Sequence, residues 1–235
     1  MTGRVCVVTG GSRGIGAAVV GRLLAQGDQV ASLSTSGAAP DGALGIAVDV
    51  RSESAIEEAF ARVAAELGPP TVLVHAAGVT GDALLLTMRE DAFQRVVDTN
   101  LGGAYRVTRQ ALRSMIRQKH GRIVLIGSAV GLLGGPGQSS YAASKAGLIG
   151  FARSLVREVG RRDITINVVT PGPVQTEMLD ALPPDRVAQL VAEVPLGRVA
   201  SADEVAGVVL FLLGPDAGYV TGAVVPVDGG VGMGH

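Results

Sequence analysis

Short apolar runs alternate along this chain with longer segments in which apolar residues recur every three or four positions. Seven runs, bounded by glycine or polar residues, predict strands at 5–8, 29–33, 44–48, 72–74, 121–127, 164–169 and 223–227. Helical spacing predicts helices between 15 and 24 and over 52–67, 91–119, 139–159 and 202–213. This alternation indicates an α/β fold, a doubly wound parallel sheet with helices on both faces.

Two segments depart from the regular alternation. Within 91–119, Asn100 and the pair Gly102-Gly103 interrupt the helical spacing. Because each glycine costs a helix about 1 kcal/mol, we expect a bend or close packing there. Between 175 and 197 the pattern is weak and broken by prolines, which favours a substrate lid. No linker or repeat divides the chain, so a single domain over 1–235 is expected.

Composition narrows the functional classes. The chain has 235 residues, a formal net charge of −1 and no basic run beyond local pairs, so no nucleic-acid or membrane partner is expected. It shows no secretory pattern and no stretch of about 18 apolar residues, so we expect a cytoplasmic protein. Cys6 is the sole cysteine and lies in the first apolar run, which predicts a reduced core side chain.

A glycine-rich turn joins the first predicted strand to the first predicted helix. It reads Gly-Gly-Ser-Arg-Gly-Ile-Gly over 10–16. Glycines let the backbone turn tightly and let a pyrophosphate approach, while the helix N-terminus offers unpaired N–H groups. The spacing G-x-x-x-G-x-G differs from the commoner G-x-G-x-x-G, and a purely structural turn would use the same residues. If the other site residues agree, we expect a Rossmann-like fold in which this turn binds a dinucleotide.

The end of the second predicted strand bears on the choice of nicotinamide cofactor. In dinucleotide folds an acidic residue there binds the ribose 2′-hydroxyl of NAD, but here Ser34, Thr35 and Ser36 take its place. Arg13 in the glycine turn can reach a 2′-phosphate and form a charge-assisted contact of about 1.5 to 3 kcal/mol. NADP(H) is therefore favoured over NAD(H). The alternative is that Arg13 is an ordinary solvated charge.

Two further strand ends supply candidate cofactor contacts. Asp49 follows the third strand, where its carboxylate can accept from an adenine amino group. Capping of the next helix by Asp49 or Ser52 is the competing role. The fourth strand leads into His-Ala-Ala-Gly at 75–78, whose small residues permit close approach to a ribose. A catalytic or metal-binding role for His75 is disfavoured because no second histidine or cysteine is nearby.

Tyr141 and Lys145 stand four positions apart on the predicted helix 139–159 and therefore share one face. A phenol with a pKa near 10 is a poor acid–base group at neutral pH, and an adjacent ammonium favours its ionised form. Ser128, at the end of the fifth strand, can donate to a substrate carbonyl. Tyrosine and lysine at this spacing usually form an amphipathic face. Together with the glycine turn and the strand-end serine, they indicate a catalytic site.

These features resemble the short-chain dehydrogenase/reductase family over essentially the whole chain. The residues that carry the resemblance are 9–16, Asp49, Asn100, Ser128, Tyr141, Lys145 and Pro171-Gly172. The stretches 120–123, 141–150 and 227–233 are similar to 3-oxoacyl-[acyl-carrier-protein] reductases of the actinobacterial type. The resemblance implies NADPH-dependent reduction of a 3-oxoacyl-[acyl-carrier-protein] to the 3-hydroxyacyl form, in fatty-acid or polyketide synthesis. The alternatives are another secondary-alcohol dehydrogenase or ketoreductase, and a non-catalytic NADP-binding regulatory protein.

The resemblance also implies roles for individual residues. Tyr141 would donate the proton to the carbonyl oxygen, and Ser128 would orient and polarise that oxygen. Lys145 would bind the nicotinamide ribose and lower the tyrosine pKa, while Asn100 would hold a water linking Lys145 to solvent. The implied cofactor contacts are Gly10, Ser12, Arg13, Gly14, Ile15, Gly16, Thr35, Asp49, Val50, Ala77, Gly78, Tyr141, Lys145, Pro171, Gly172, Val174 and Thr176. No metal is expected.

Two positions depart from the family pattern. His75-Ala76 stands where the family has Asn-Asn or a close variant, so the asparagine amides are missing. Thr35 stands where some relatives have arginine, so the preference for NADP rests mainly on Arg13.

The implied partner is an acidic acyl-carrier protein. Lys119 and Arg162 are the expected docking pair near the pocket mouth, with Arg161 and Arg122 beside them. Ordinary solvated charges are the competing interpretation. The resemblance further implies a homotetramer that uses the long helices and the C-terminal strand.

Overall fold

Within residues 3–233, which a computed structural model describes, seven parallel strands form the centre of the molecule. The strands are β1 (Val5–Thr9), β2 (Gln29–Ser34), β3 (Leu44–Ala47), β4 (Val72–His75), β5 (Gly121–Ile126), β6 (Ile164–Pro171) and β7 (Val224–Val227). They lie in the order β3-β2-β1-β4-β5-β6-β7, and every neighbouring pair is parallel. The predicted doubly wound sheet is confirmed, and the strand ends agree within two residues.

Helices cover both faces of this sheet. They are α1 (Gly14–Ala25), α2 (Glu53–Glu66), α3 (Glu90–Val97), α4 (Gly103–Gln118), α5 (Val130–Leu133), α6 (Ser139–Val159), α7 (Glu177–Asp180), α8 (Pro184–Ala192) and α9 (Ala202–Leu213). The predicted bounds of α6 and α9 are confirmed to the residue. The segment 175–197 contains α7 and α8, and its role as a lid stays a prediction.

The sheet divides the core into two layers because successive side chains of a strand point to opposite faces. In β1, Val7 packs in the layer that includes α2, α4 and α6, whereas Cys6 and Val8 pack in the layer of α1 and α9. All three side chains are fully buried. Cys6 is therefore a core residue, as predicted, and its burial raises the pKa of the thiol, which keeps it unreactive.

The predicted interruption of 91–119 is a single π-helical turn, Asp98–Gly102, between α3 and α4. A Cβ on Gly103 would lie 2.8 Å from Val50 Cγ2, so close packing accounts for a glycine here. Asn100 is fully buried in the turn. Because a π-turn inserts one residue into a helix, it re-aims the residues that it carries, and such turns are frequent at functional sites.

Side-chain caps fix the starts of two helices. The Ser52 hydroxyl accepts from the Ala55 N–H at 3.2 Å and caps α2. Ser201 and Glu204 form a capping box at the start of α9. Since Ser52 takes the capping role at α2, Asp49 is left for other partners.

The order of the strands reverses at β1, which has β2 on one side and β4 on the other. In open parallel sheets, ligands bind outside the carboxyl ends of the strands at such a reversal. The topology therefore predicts a ligand site beside the turns that follow β1 and β4.

Candidate active site

The predicted cofactor and catalytic segments leave the sheet at its carboxyl edge, although they are far apart in sequence. They are the glycine turn after β1, Thr35 after β2, Asp49-Val50 after β3, Ala77-Gly78 after β4, Ser128 after β5, and Pro171, Gly172, Val174 and Thr176 at the end of β6. Helix α6 brings Tyr141 and Lys145 to the same edge. The fold thus assembles one candidate site from these elements.

The glycine turn is shaped for an anionic ligand. Gly10 and Gly14 have φ of 69° and 53°, in the left-handed region that favours glycine. A Cβ on Gly10 would lie 2.8 Å from the Ala77 nitrogen. No side chain caps the start of α1, so its first N–H groups are free to bind a phosphate. These residues fit the pyrophosphate of a dinucleotide.

Gly16 gives a sharp test of this turn, because a methyl group there would overlap the Gly10 carbonyl oxygen. Gly16→Ala is expected to distort the turn and weaken NADPH binding by about tenfold or more, roughly 1.4 kcal/mol. Gly21→Ala is the matched control: it lies in the same helix, and a Cβ there meets nothing within 4 Å. Fluorescence titration measures both dissociation constants, and equal values would contradict the expectation.

Arg13 has a partner that the sequence did not indicate. Its Nη1 lies 2.6 Å from Glu177 Oε2 on α7, and both side chains are largely exposed. At the end of β2, Ser34 and Ser36 hydrogen-bond within their own turn, whereas Thr35 is exposed. Arg13 is therefore an exposed charge paired with Glu177, and Glu177 competes with a 2′-phosphate for its guanidinium.

Asp49 forms a two-pronged ion pair with Arg51. Both carboxylate oxygens accept from the Arg51 guanidinium, the shortest contact being 2.6 Å from Nη2 to Oδ2. The same arginine lowers the pKa of Asp49, so the carboxylate is ionised at neutral pH. A contact from Asp49 to an adenine stays a prediction.

Lys145 is almost completely buried, with 4% of its surface exposed. Its Nζ donates to the Ile126 carbonyl at 2.8 Å and lies 5.7 Å from the centre of the Tyr141 ring. A Cβ on Gly78 would come within 3.3 Å of the same Nζ. Burial lowers the pKa of Lys145 to about 8. The ammonium is thus held tightly beneath the tyrosine with a single neutral acceptor.

Burial dominates the electrostatics of Tyr141. It raises the pKa of the phenol, the neighbouring Ser128 hydroxyl lowers the pKa by hydrogen bonding, and the negative charge of Asp82 raises it. The balance is upward because burial outweighs the hydrogen bond, and a lowering of the pKa by Lys145 beside the cofactor stays a prediction. Tyr141 is therefore a neutral O–H donor, which is the form that a proton donor to a ketone requires.

Asn100 uses its side chain to join three elements. Its Oδ1 accepts from the Val79 N–H at 2.9 Å, and its Nδ2 donates to the Val79 carbonyl at 3.0 Å and to Ser144 Oγ at 2.9 Å. Ser144 in turn donates to the Tyr141 carbonyl at 2.7 Å. Sequence reasoning missed Ser144 as a site residue. Its place on α6, one residue before Lys145, was the available signal.

Lys119 and Arg162, the two expected docking cations, lie at the other edge of the sheet. Lys119 precedes β5 and Arg162 precedes β6, so both are at the amino edge, whereas Ser128 follows the carboxyl end of β5. The expectation that they flank the pocket mouth is wrong within one copy of the chain, because parallel strands separate their two ends by the strand length. Arg122 is mostly buried and donates to main-chain carbonyls, including that of Asp163, so it is not a docking group.

Within residues 3–233, no group of three or more histidine, cysteine or acidic side chains is arranged to hold a metal ion. No helix in this part of the chain combines the length and apolarity needed to cross a membrane.

The glycine turn at the strand-order reversal, with Ser128, Tyr141 and Lys145 beside it, defines a nicotinamide-dependent oxidoreductase site. A family model described as enoyl-(acyl carrier protein) reductase matches residues 10–232. The chain belongs to the short-chain dehydrogenase/reductase family.

Three relatives are similar to this chain over 98% or more of its length. The chain is 48% identical to the 3-oxoacyl-[acyl-carrier-protein] reductase MabA of Mycobacterium avium, over 99% of this chain and 91% of that protein. It is 48% identical to MabA of Mycobacterium tuberculosis, over 99% and 94% of the two chains. It is 41% identical to the 3-oxoacyl-[acyl-carrier-protein] reductase FabG of Escherichia coli, over 98% of each.

Proposed function

We propose that this protein catalyses the NADPH-dependent reduction of a 3-oxoacyl-[acyl-carrier-protein] to the 3-hydroxyacyl form in fatty-acid synthesis. The observation that carries the proposal is the convergence of Ser128, Tyr141 and Lys145 beside a phosphate-binding glycine turn. The names of the most similar relatives supply the substrate class.

The proposed chemistry assigns one task to each side chain. When bound, NADPH supplies a hydride to the ketone carbon. Ser128 donates a hydrogen bond to the ketone oxygen and polarises it, and Tyr141 gives that oxygen its proton. Lys145 would hold the nicotinamide ribose, and it places positive charge near the tyrosine. Asn100 fixes the start of α6 through Ser144, so the proton donor keeps its position.

Exposed apolar side chains around the candidate site support an acyl substrate. Leu84, Leu85 and Leu86 follow β4 in a turn that is held by hydrogen bonds to the Leu84 carbonyl, and Leu86 is 99% exposed. The Ala83 N–H donates to the Gly137 carbonyl, just before the catalytic helix α6. Met178 of α7, also exposed, follows β6. An apolar rim of this kind suits the hydrocarbon part of an acyl thioester.

One assay tests the proposal against its alternatives. The decay of NADPH absorbance is followed with an acetoacetyl thioester and with a crotonyl thioester, and its increase is followed in the reverse direction with NADP⁺ and simple secondary alcohols. We expect turnover of the acetoacetyl thioester above the other substrates. Preference for the crotonyl thioester would indicate enoyl reduction, and preference for the alcohols would indicate a general dehydrogenase. No turnover with any of them would favour a binding protein.

The choice of NADPH rests on Arg13, and its ion pair with Glu177 sharpens the test. Arg13→Ala is expected to raise the dissociation constant of NADPH by about tenfold to a hundredfold and that of NADH much less, because the 2′-phosphate loses a charge-assisted contact. Glu177→Gln should tighten NADPH binding up to about fivefold, since an exposed pair is worth about 0.2 to 1 kcal/mol. Arg22→Ala, which also removes an exposed ion-paired arginine but lies within α1, is the control. Equal changes for both cofactors would contradict the assignment.

Carrier docking through Lys119 and Arg162 is part of the proposal. Both side chains are exposed, and exposed ion pairs contribute about 0.2 to 1 kcal/mol each while speeding encounter. Lys119→Glu combined with Arg162→Glu is expected to raise KM several-fold for a carrier-linked substrate and to leave KM for a small thioester unchanged. Steady-state kinetics with both substrates provides the measurement. A similar rise for both would argue against a carrier site.

We also propose that the protein assembles as a homotetramer. Exposed aromatic side chains lie on the surfaces that it would use: Tyr105 on α4, Phe211 on α9, and Tyr219 shortly before β7. Because the docking cations lie at the edge opposite their own pocket, a carrier bound to them would be served best by the pocket of a neighbouring copy. Light scattering after size-exclusion chromatography measures the number of subunits, and a monomer would contradict both statements.

A further inference from the structure

His75 occupies a fully buried position at the carboxyl end of β4, between two elements of the candidate site. Its Nδ1 lies 2.9 Å from Thr9 Oγ1, at the end of β1. Its Nε2 lies 3.2 Å from the main-chain oxygen of Asn100, in the π-turn. Both ring nitrogens therefore have partners, and the imidazole bridges the strand that leads into the glycine turn and the turn that carries Asn100.

The chemistry of these partners determines the tautomer. A carbonyl oxygen only accepts, so Nε2 must carry the hydrogen that it donates to Asn100. Burial, and then the positive charge of Lys145, lower the pKa of His75 to about 3, so the ring is neutral. Nδ1 is then an acceptor and receives the Thr9 hydroxyl hydrogen. Thr9 Oγ1 in turn accepts from the Ala77 N–H at 3.3 Å.

These bonds form part of a longer chain of contacts. From His75 it continues through the Asn100 main chain to the Asn100 side chain, then to Ser144 and the Tyr141 carbonyl. The ring lies beside Gly103 at the start of α4, since a Cβ on that glycine would be 3.5 Å from His75 Cε1. At the other end, Ala77 is the residue against which Gly10 packs.

We propose that His75 is a positioning residue: it fixes the π-turn that carries Asn100, and through it the helix that presents Tyr141, relative to the glycine turn. A neutral imidazole provides one donor and one acceptor on a rigid ring, so it can hold both elements in one arrangement. The two asparagines usual for the family are absent here, and in this chain the hydrogen bonds to Thr9 and Asn100 are made by the ring of His75. The activity measurements below rest on the proposed function, whereas the spectroscopic measurement does not.

The first experiment compares three variants in the acetoacetyl thioester assay. His75→Phe keeps an aromatic ring but removes both hydrogen bonds, and kcat should fall about 10- to 100-fold with KM changed less than about threefold, since small displacements of catalytic groups have effects of this size. His75→Asn, which restores a donor and an acceptor, should recover much of the loss. Thr165→Val is the control, because Thr165 is buried in β6 with no hydrogen-bond partner for its hydroxyl.

A milder variant keeps the test decisive if His75→Phe folds poorly. Thr9→Val preserves shape and removes the donor to Nδ1, and an intermediate loss of kcat with an unchanged KM is expected. Full kcat in Thr9→Val, or in a folded His75→Phe, would overturn the proposal. So would failure of His75→Asn to exceed His75→Phe in kcat.

The second experiment is independent of the substrate. Long-range ¹H–¹⁵N correlation spectra of the intact protein should show His75 as the neutral Nε2–H tautomer, with no titration between pH 5 and 9. An Nδ1–H tautomer or a titrating ring would overturn the proposal. If no thioester is reduced but this tautomer is observed, the proposed function fails while the bridge between Thr9 and Asn100 stands.

Discussion

Replacing Tyr141 by phenylalanine is expected to lower kcat for ketone reduction by about 10²- to 10⁴-fold, the contribution typical of one positioned acid–base group. The ring would remain above Lys145, whose Nζ lies 5.7 Å from its centre, so the pocket keeps its shape. The hydroxyl that supplies the proton is lost, and a neutral serine cannot replace it as an acid. Single-turnover measurement of NADPH oxidation separates this loss from any change in product release.

Two controls accompany the Tyr141 variant. Tyr105→Phe removes a phenolic hydroxyl from an exposed position on α4 and should leave kcat unchanged. Cofactor titration of Tyr141→Phe should show a dissociation constant raised by no more than about tenfold, the value of one lost hydrogen bond, because the glycine turn is intact. Turnover that survives in Tyr141→Phe would remove the proposed mechanism, whatever the substrate.

The sheet and the longest helices follow from local pattern. The continuous apolar run 123–126 in β5 is typical of a sheet covered on both faces, and the strand lies in that position between β4 and β6. The start of α9 was predictable because Ser201 and Glu204 form a capping box, which is encoded within four residues. Where the residues that determine a strand or helix are close in sequence, the predicted element is found in the structure.

The sequence predicted which residues meet at the candidate site, but it did not predict all of their partners. The carboxyl edge collects Ser128, Tyr141 and Lys145 because parallel topology requires it. The partner of Arg13, however, is Glu177, more than 160 positions away, and no local rule links them. The expected docking cations, Lys119 and Arg162, are a different case. Each precedes a predicted strand, and that position alone places it at the amino edge of the sheet, away from the pocket mouth.

His75 shows what single-sequence reasoning lacks. The sequence disfavours a catalytic or metal-binding role for it because no second histidine or cysteine is nearby. Nothing close to it in sequence identifies its hydrogen-bond partners. Its role depends on burial and on Thr9 and Asn100, which lie on other elements. Only tertiary packing defines the donors and acceptors around a buried ring.

Replacing Lys145 by methionine is expected to separate stability from activity. A lysine with a folded pKa of about 8, against about 10.4 when unfolded, costs the folded state about 3 kcal/mol at pH 7 through burial of its charge. Methionine fills similar volume without that charge, so the variant should be more stable to urea by about 1 to 3 kcal/mol, part of the gain being lost with the bond to Ile126. Its turnover should fall at least about 100-fold.

The stability gained by Lys145→Met should fall as pH rises. Between about 8 and 10.4 the unfolded chain binds more protons at this lysine than the folded protein does, so the lysine form gains stability as pH rises through that window. The advantage of Lys145→Met should therefore be full below pH 8 and nearly absent at pH 10. Lys119→Met, which replaces the other lysine of the chain at an exposed position, should show no such trend. A constant difference from pH 7 to 10 would mean that Lys145 is not held as a buried cation beneath the tyrosine.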